Sequence, residues 1–226
     1  MSVKKFAIIV AGGSGSRMQS EIPKQFLLLG NLPLIMHTLN AFYNSPSKPD
    51  IIVVMNVHYH QMWEKLCTTH NFTVPHLLVK AGNTRFQSVK NGLKEIKIQG
   101  FVAVHDAVRP LLSSELIEKC FAEAEEFGSS VPVIPCSQSL RKVEGKTTIA
   151  VDRNSYFLVQ TPQVFSLKLL TKSYKEPFRN EFTDDASVVE FAGNSIHLSE
   201  GEENNIKITF PQDLLIAQSL LQLFKS

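Results

Sequence analysis

Five short runs of the chain, residues 6–10, 51–55, 76–79, 101–105 and 130–134, are apolar at nearly every position. A strand with one wet face alternates apolar and polar residues, whereas continuous apolar runs fit strands covered on both faces, as in a mostly parallel sheet. Between them, residues 33–42, 58–70, 85–96 and 115–127 space their apolar side chains three and four apart, the period of a helix that buries one face. The alternation predicts an α/β fold: a Rossmann-like, three-layer domain with a mostly parallel twisted sheet and crossover helices. Thr84 and Gln87 form a capping-box pattern directly after Gly82-Asn83, so backbone N–H groups should point outward from the sheet's carboxyl edge and favour an anion. Pro211, ahead of Gln212-Asp213 and a leucine-rich run, suits a last helix with proline in its first turn.

Residues 136–165 break this rhythm. Two extended stretches, 136–143 and 147–153, flank a turn at Glu144-Gly145-Lys146 and read as a projecting β-hairpin arm. A hairpin alone in water is marginally stable, so the arm should pack against something, most simply a second copy of the chain. The expected organisation is one domain over residues 1–226, with the arm at about 136–165 inserted and used for homodimerisation.

A length of 226 residues allows a sizeable core, and no long polar or Pro/Gly/Ser-rich linker divides it. With 23 basic and 21 acidic residues the formal charge is +2, which gives no field suited to nucleic acid or a membrane surface. The first strand begins within a few residues of Met1 and is too short for a signal or membrane-spanning segment, so a soluble cytoplasmic protein is expected. Cys67, Cys120 and Cys136 are odd in number and widely spaced, which predicts buried free thiols rather than a disulfide or zinc site.

The chemistry concentrates after the first strand, in Ala11-Gly12-Gly13-Ser14-Gly15-Ser16-Arg17-Met18, followed by Pro23-Lys24-Gln25. Glycines at a strand end bring backbone N–H groups close to an anion, and Arg17 and Lys24 neutralise charge that the amides leave uncovered. A Walker A loop would need Gly-Lys-Ser/Thr where Gly15-Ser16-Arg17 stands, and a dinucleotide fingerprint would need glycine at Met18 and an acid at Asn56. Neither motif is present. The plainer alternative, a tight strand-to-helix turn, leaves Arg17 and Lys24 unexplained. At the end of the fourth run, Asp106 occupies the carboxyl edge, where ligands of open α/β sheets bind, and one carboxylate there can hold Mg²⁺ on nucleotide phosphates. Its alternative role is a cap for the following turn. His105 reads as a structural strand-end histidine rather than a base.

These blocks, with Gly82 and Ser88, His105-Asp106-Ala107-Val108-Arg109-Pro110, Val151-Asp152-Arg153-Asn154, Gln160-Thr161-Pro162-Gln163, Thr183-Asp184-Asp185-Ala186 and Asn205-Ile206-Lys207, resemble the 2-C-methyl-D-erythritol 4-phosphate cytidylyltransferase family nearly end to end. The glycine loop with Lys24 alone would indicate only the wider sugar nucleotidyltransferase superfamily; the later blocks narrow it.

The resemblance implies a reaction between CTP and a polyol phosphate, with Mg²⁺ as cofactor, that forms 4-diphosphocytidyl-2-C-methyl-D-erythritol and pyrophosphate for non-mevalonate isoprenoid synthesis. It assigns Arg17, Lys24, Lys207 and Asp106 to catalysis, Asp106 also to the metal. Ala11, Gly12, Gly13, Ser14, Gly15, Gly82, Ser88 and Ala107 would bind CTP. Arg109, Ser139, Arg153 and Thr183 would bind the acceptor, with Ser139 and Arg153 delivered across a dimer interface by the arm. Ser139 stands where the family pattern has threonine, Asn204 where it often has aspartate, and Gly12 where alanine is common. The rival readings are a ribitol-5-phosphate cytidylyltransferase and a nucleotide-binding regulator without activity.

Overall fold

The computed structural model describes residues 3–13 and 22–223. In chain order its elements are β1 (Lys4–Ala11), the short pair β2 (Leu28–Leu29) and β3 (Leu32–Pro33), α1 (Leu34–Asn44), β4 (Asp50–Met55), α2 (His60–Thr69), β5 (Leu77–Lys80), α3 (Arg85–Glu95) and β6 (Gly100–Asp106). There follow α4 (Ser114–Phe127), β7 (Ser129–Pro135), β8 (Leu140–Glu144), β9 (Thr147–Val151), β10 (Phe157–Val159), β11 (Gln163–Ser166), α5 (Leu167–Ser173), α6 (Asp185–Phe191), β12 (Leu198–Glu200) and α7 (Pro211–Leu223). The predicted strands and helices of the central domain all appear, with shifts of a residue or two at their ends, whereas the first extended stretch of the arm, expected from 136, becomes a strand only at Leu140.

The central sheet runs β10-β7-β11-β6-β1-β4-β5, and β12 adds to β7. Strands β6, β1, β4 and β5 are mutually parallel, while β11 runs antiparallel between β6 and β7. Alternate residues of the same strands feed opposite faces, which is why the runs are apolar throughout. Ala7, Ile9, Val53 and Ala103 pack with Leu39 of α1, Trp63 of α2 and Phe121 of α4. Ile8, Val54, Val104 and Phe165 pack with Val89 of α3, Leu170 of α5 and Val189 of α6. The result is the three layers read from the sequence. Helix α7 closes a smaller cluster in which Ala217, Leu214 and Leu221 meet Leu29, Val108 and Ile208.

The topology places the site. From β1 the chain winds outward through β4 to β5, then α3 returns it to β6 on the other side of β1. The strand order therefore reverses between β1 and β6, and a crevice opens at their carboxyl ends. In the register of this pair Val10 lies opposite Asp106, so the start of the glycine loop and the carboxylate are neighbours.

The arm is a separate two-stranded sheet, β8 with β9, turning at Gly145 with φ +62°, a conformation that glycine adopts without strain. It is shorter than the expected 136–165, because Phe157–Val159 and Gln163–Ser166 return to the central sheet and pair with β7 and β6. Their main-chain groups are satisfied there, which a free arm could not do. Cys120 and Cys136 are buried, Cys67 is half-buried, and all are free thiols.

Candidate active site

A cleft of about 600 Å³ opens at the reversal point, lined by Gly12 and Gly13 after β1, Lys24, the Gly82–Arg85 turn, Ser88, Asp106, Ala107 and Lys207. Its electrostatic centre is Asp106. Lys207 Nζ lies 2.8 Å from Oδ2, Arg109 Nε 3.7 Å from the same oxygen, and Arg85 Nε 3.7 Å from Oδ1. Burial works to raise the Asp106 pKa, but Arg85, then Lys207 and Arg109, together hold it well below the usual carboxylate range. It is an anion at any physiological pH. The cleft thus carries a surplus of positive charge around one fixed negative charge.

The cations arrive from distant parts of the chain, each fixed by local bonds. Buried Gln25 donates from Nε2 to Ala11 O at 2.9 Å, pinning the Pro23-Lys24-Gln25 segment to the end of β1. Lys24 Nζ donates to Ile208 O at 3.2 Å, beside Lys207. That loop is itself tied to the turn after β6, because Ile208 N–H donates to Val108 O. Buried Arg109 donates from Nη1 to Asn205 O at 2.7 Å, and Thr38 of α1 supports the carbonyl groups of Ala107 and Arg109.

The turn before α3 differs from the expectation. Thr84 Oγ1 accepts from Gln87 N–H as an N-cap should, but the Gln87 side chain bonds Asn83 N–H rather than Thr84 N–H. Ser88 Oγ accepts from Gly82 N–H and donates to Thr84 O. The N–H groups of Gly82 and Asn83 are therefore engaged within the turn and are not presented to an anion. Glycine is required at residue 82, since a Cβ there would collide with the Cβ and backbone of Gln87.

Behind Asp106 lies a wall of buried polar groups. Thr161 Oγ1 accepts from Asp106 N–H at 3.2 Å and meets His105 Nδ1 at 3.1 Å. Arg109 O, 3.5 Å from Nε2, can only accept, which puts the imidazole proton on Nε2 and leaves Nδ1 to accept from the Thr161 hydroxyl. Burial lowers the His105 pKa to about 3, against the pull of Asp106, so the ring is neutral. His105 is structural, as its position at a strand end suggested.

Of the residues nominated from sequence, the structure brings Ala11, Gly12, Gly13, Lys24, Gly82, Ser88, Asp106, Ala107 and Lys207 to one cleft, with Arg109 on Asp106 at its floor. Ser14, Gly15 and Arg17 lie outside the described residues. Ser139, Arg153 and Thr183 are exposed and do not line the cleft. Arg153 Nη1 donates to Ser137 O at 2.9 Å, so Arg153 and Ser139 flank the same base of the arm. Among the described residues no group of three or more His, Cys, Asp or Glu side chains could hold a metal ion. No helix among them is long and apolar enough to cross a membrane.

Arg85 is the principal residue that sequence reasoning missed. Its one signal was its place directly after the Thr84 cap. Its partners, Asp106 and Asp185, are far along the chain, and Asp185 stands 100 residues away.

The family model for 2-C-methyl-D-erythritol 4-phosphate cytidylyltransferase, IspD, matches residues 5–223. A protein of that name from Bacteroides thetaiotaomicron is 47% identical over 219 residues, covering 97% of this chain and 100% of its own. One from Porphyromonas gingivalis is 46% identical over 222 residues, covering 98% and 99%. The crystal structure of the Thermus thermophilus protein of that name superposes with a TM-score of 0.79 at 30% identity, covering 98% of this chain and 100% of its own.

Proposed function

Because this chain belongs to the 2-C-methyl-D-erythritol 4-phosphate cytidylyltransferase family, we propose that the cleft between β1 and β6 seats CTP and that the acceptor's phosphate attacks within it. The enzyme is a nucleotidyltransferase that joins CTP to 2-C-methyl-D-erythritol 4-phosphate, giving 4-diphosphocytidyl-2-C-methyl-D-erythritol and pyrophosphate in isoprenoid precursor synthesis. The observation that carries the site assignment is the convergence of Lys24 and Lys207 with Asp106 at the start of the glycine loop.

The reaction needs no protein base. A phosphate monoester has a second pKa of about 6 and is largely dianionic at neutral pH, so its oxygen is already a nucleophile. The P–O bond from that oxygen to the α-phosphorus forms as the bond to the β-phosphate oxygen breaks, and pyrophosphate leaves with the electron pair. The obstacle is repulsion between two polyanions and charge on the leaving group, which positioned cations reduce. Lys24 and Lys207 serve this purpose on the described side of the cleft, and Arg17 is assigned to it by the family pattern. Gly82 and Ser88, in a turn whose Gly82 and Asn83 N–H groups are occupied, suit the base and ribose better than the phosphates.

Among the described residues, one arrangement fits Mg²⁺. Asp106 is a single ionised carboxylate in the cleft, and Mg²⁺ accepts one carboxylate when phosphate oxygens and waters complete its shell. When bound, the ion would neutralise charge on the triphosphate. Lys207, paired with Asp106 at 2.8 Å, would then turn its ammonium to the phosphates.

Acceptor recognition is proposed to need two copies of the chain. Val143 and Ile149 on the arm and Phe157, Leu158 and Val159 at its root are exposed, an apolar surface that a second copy can bury. Such pairing would carry Arg153 and Ser139 to the partner's cleft. A sedimentation mass of one chain at assay concentration would remove this part of the reading.

Pyrophosphate release measured for the four nucleoside triphosphates against 2-C-methyl-D-erythritol 4-phosphate and ribitol 5-phosphate tests the assignment. Turnover confined to CTP with the methylerythritol acceptor is expected; equal turnover with ribitol 5-phosphate would overturn the acceptor assignment.

A further inference from the structure

Arg85 joins three elements that lie far apart in the chain. Its backbone opens α3, directly after the Gly82–Thr84 turn that lines the nucleotide cleft. Its Nε faces Asp106 Oδ1 at 3.7 Å, and its Nη2 donates to Asp185 Oδ2 at 2.7 Å. Asp185 is fully buried at the first position of α6, where its other oxygen accepts from Tyr174 OH. The same turn is fixed to the sheet by Gln163 of β11, whose Oε1 accepts the N–H groups of Asp185 and Ala186 while Nε2 donates to Asp184 Oδ2. Thr183, assigned to the acceptor, is the exposed residue just before the Asp184 cap.

Two features go beyond what structural support of α6 requires. Asp185 is also held by the Tyr174 hydroxyl at its carboxylate and by Gln163 at its backbone N–H, yet the Arg85 side chain remains 28% exposed at the cleft and extends to a second carboxylate. A planar guanidinium can serve two carboxylates at once, which an ammonium on a flexible stem does poorly.

We propose that Arg85 is a positioning residue for the acceptor half of the site: shared between Asp106 and Asp185, it sets the Thr183–Asp184 turn against the nucleotide cleft. The proposal rests on the cytidylyltransferase reading. Arg85 acts through the two carboxylates and not on the reacting atoms, so its loss should fall on the acceptor rather than on CTP.

The test is a cycle of Arg85→Lys, Asp185→Asn and the double variant. Steady-state kinetics for both substrates are combined with calorimetric CTP binding in the absence of acceptor and with thermal unfolding. Arg85→Lys keeps a cation beside Asp185 and preserves folding, which Arg85→Gln would endanger. In each single variant kcat/KM for 2-C-methyl-D-erythritol 4-phosphate should fall roughly tenfold or more, with CTP affinity within about threefold of wild type. The double variant should lose little beyond the worse single one. Additive losses, equal weakening of CTP, or unchanged acceptor kinetics in Arg85→Lys would each overturn the proposal. Wild-type turnover tests the reaction itself, so failure there is distinct from a failed ratio between variants.

Discussion

Replacing Asp106 with asparagine preserves side-chain size and removes a charge that faces Arg85, Arg109 and Lys207. Unit charges about 4 Å apart attract by roughly 4 kcal/mol at the effective dielectric of about 20 suited to such sites. Burial of the carboxylate and repulsion among the cations offset much of this, and water screens the contact with Lys207, which is 41% exposed. Arg109, with its side chain only 9% exposed, has little water to replace its partner. The net cost should therefore fall near the lower end of the ~3–5 kcal/mol seen when one partner of a buried pair is removed, at about 3 kcal/mol. At roughly 2–4 °C per kcal/mol for a chain of this size, Tm at pH 7 should drop by about 6–12 °C. The cations hold the folded-state carboxyl below its unfolded value, so this stabilisation is complete above the ordinary carboxylate pKa of about 4 and is lost as pH falls below it. Urea denaturation of wild type and variant should show a constant gap from pH 5 to 8 that narrows below about pH 4. CTP without divalent metal should raise the variant's Tm more than wild type's, because it supplies the missing negative charge. A variant Tm within about 2 °C of wild type, or a gap independent of acid, would refute the electrostatic account.

Lys24→Ala removes a charge from the cleft proposed to seat the triphosphate, worth about 2.7–4 kcal/mol by comparison with oxyanion-hole deletions, so kcat should fall roughly a hundredfold or more in a pyrophosphate-release assay. Unchanged turnover would take Lys24 out of the mechanism. Arg153→Ala should raise KM for the acceptor by about tenfold or more, as expected for a lost charged hydrogen bond, and leave KM for CTP near wild type. Equal effects on both substrates would mean that Arg153 serves only the base of the arm. His105 is buried neutral with a pKa lowered to about 3, whereas its unfolded value is about 6.5, so it favours the folded state above pH 6.5 and opposes it as pH falls. Between pH 7.5 and 5 the wild type should lose ~2 kcal/mol more than His105→Gln in urea denaturation, and an equal loss in both would show that the ring takes up its proton in the fold.

What the sequence made legible was whatever depends on near neighbours. Strands covered on both faces, helices at a period of three to four, the Thr84 cap and the turn at Gly145 each express a rule that acts within a few residues, and each formed where expected. The site was legible in part for the same reason: glycines after β1 and a carboxylate ending β6 mark the carboxyl edge wherever the sheet folds. Pairings made by the topology were not legible. Nothing around Arg85 indicates that its guanidinium will reach two carboxylates on β6 and α6, nor does Gln25 announce that it anchors the Lys24 segment to Ala11. The Gly82 turn misled for a related reason, since a capping-box pattern specifies two side chains and two N–H groups but not which N–H the glutamine will choose. The choice of Asn83 changes the chemistry, because it withdraws a donor from the cleft; in the proposed reading the attraction of polyanions then falls to Lys24 and Lys207 among the described residues. A site whose task is to hold two anions together thus concentrates its charge at the reversal between β1 and β6, and uses buried neutral groups such as Thr161 and His105 to fix the backbone that carries Asp106.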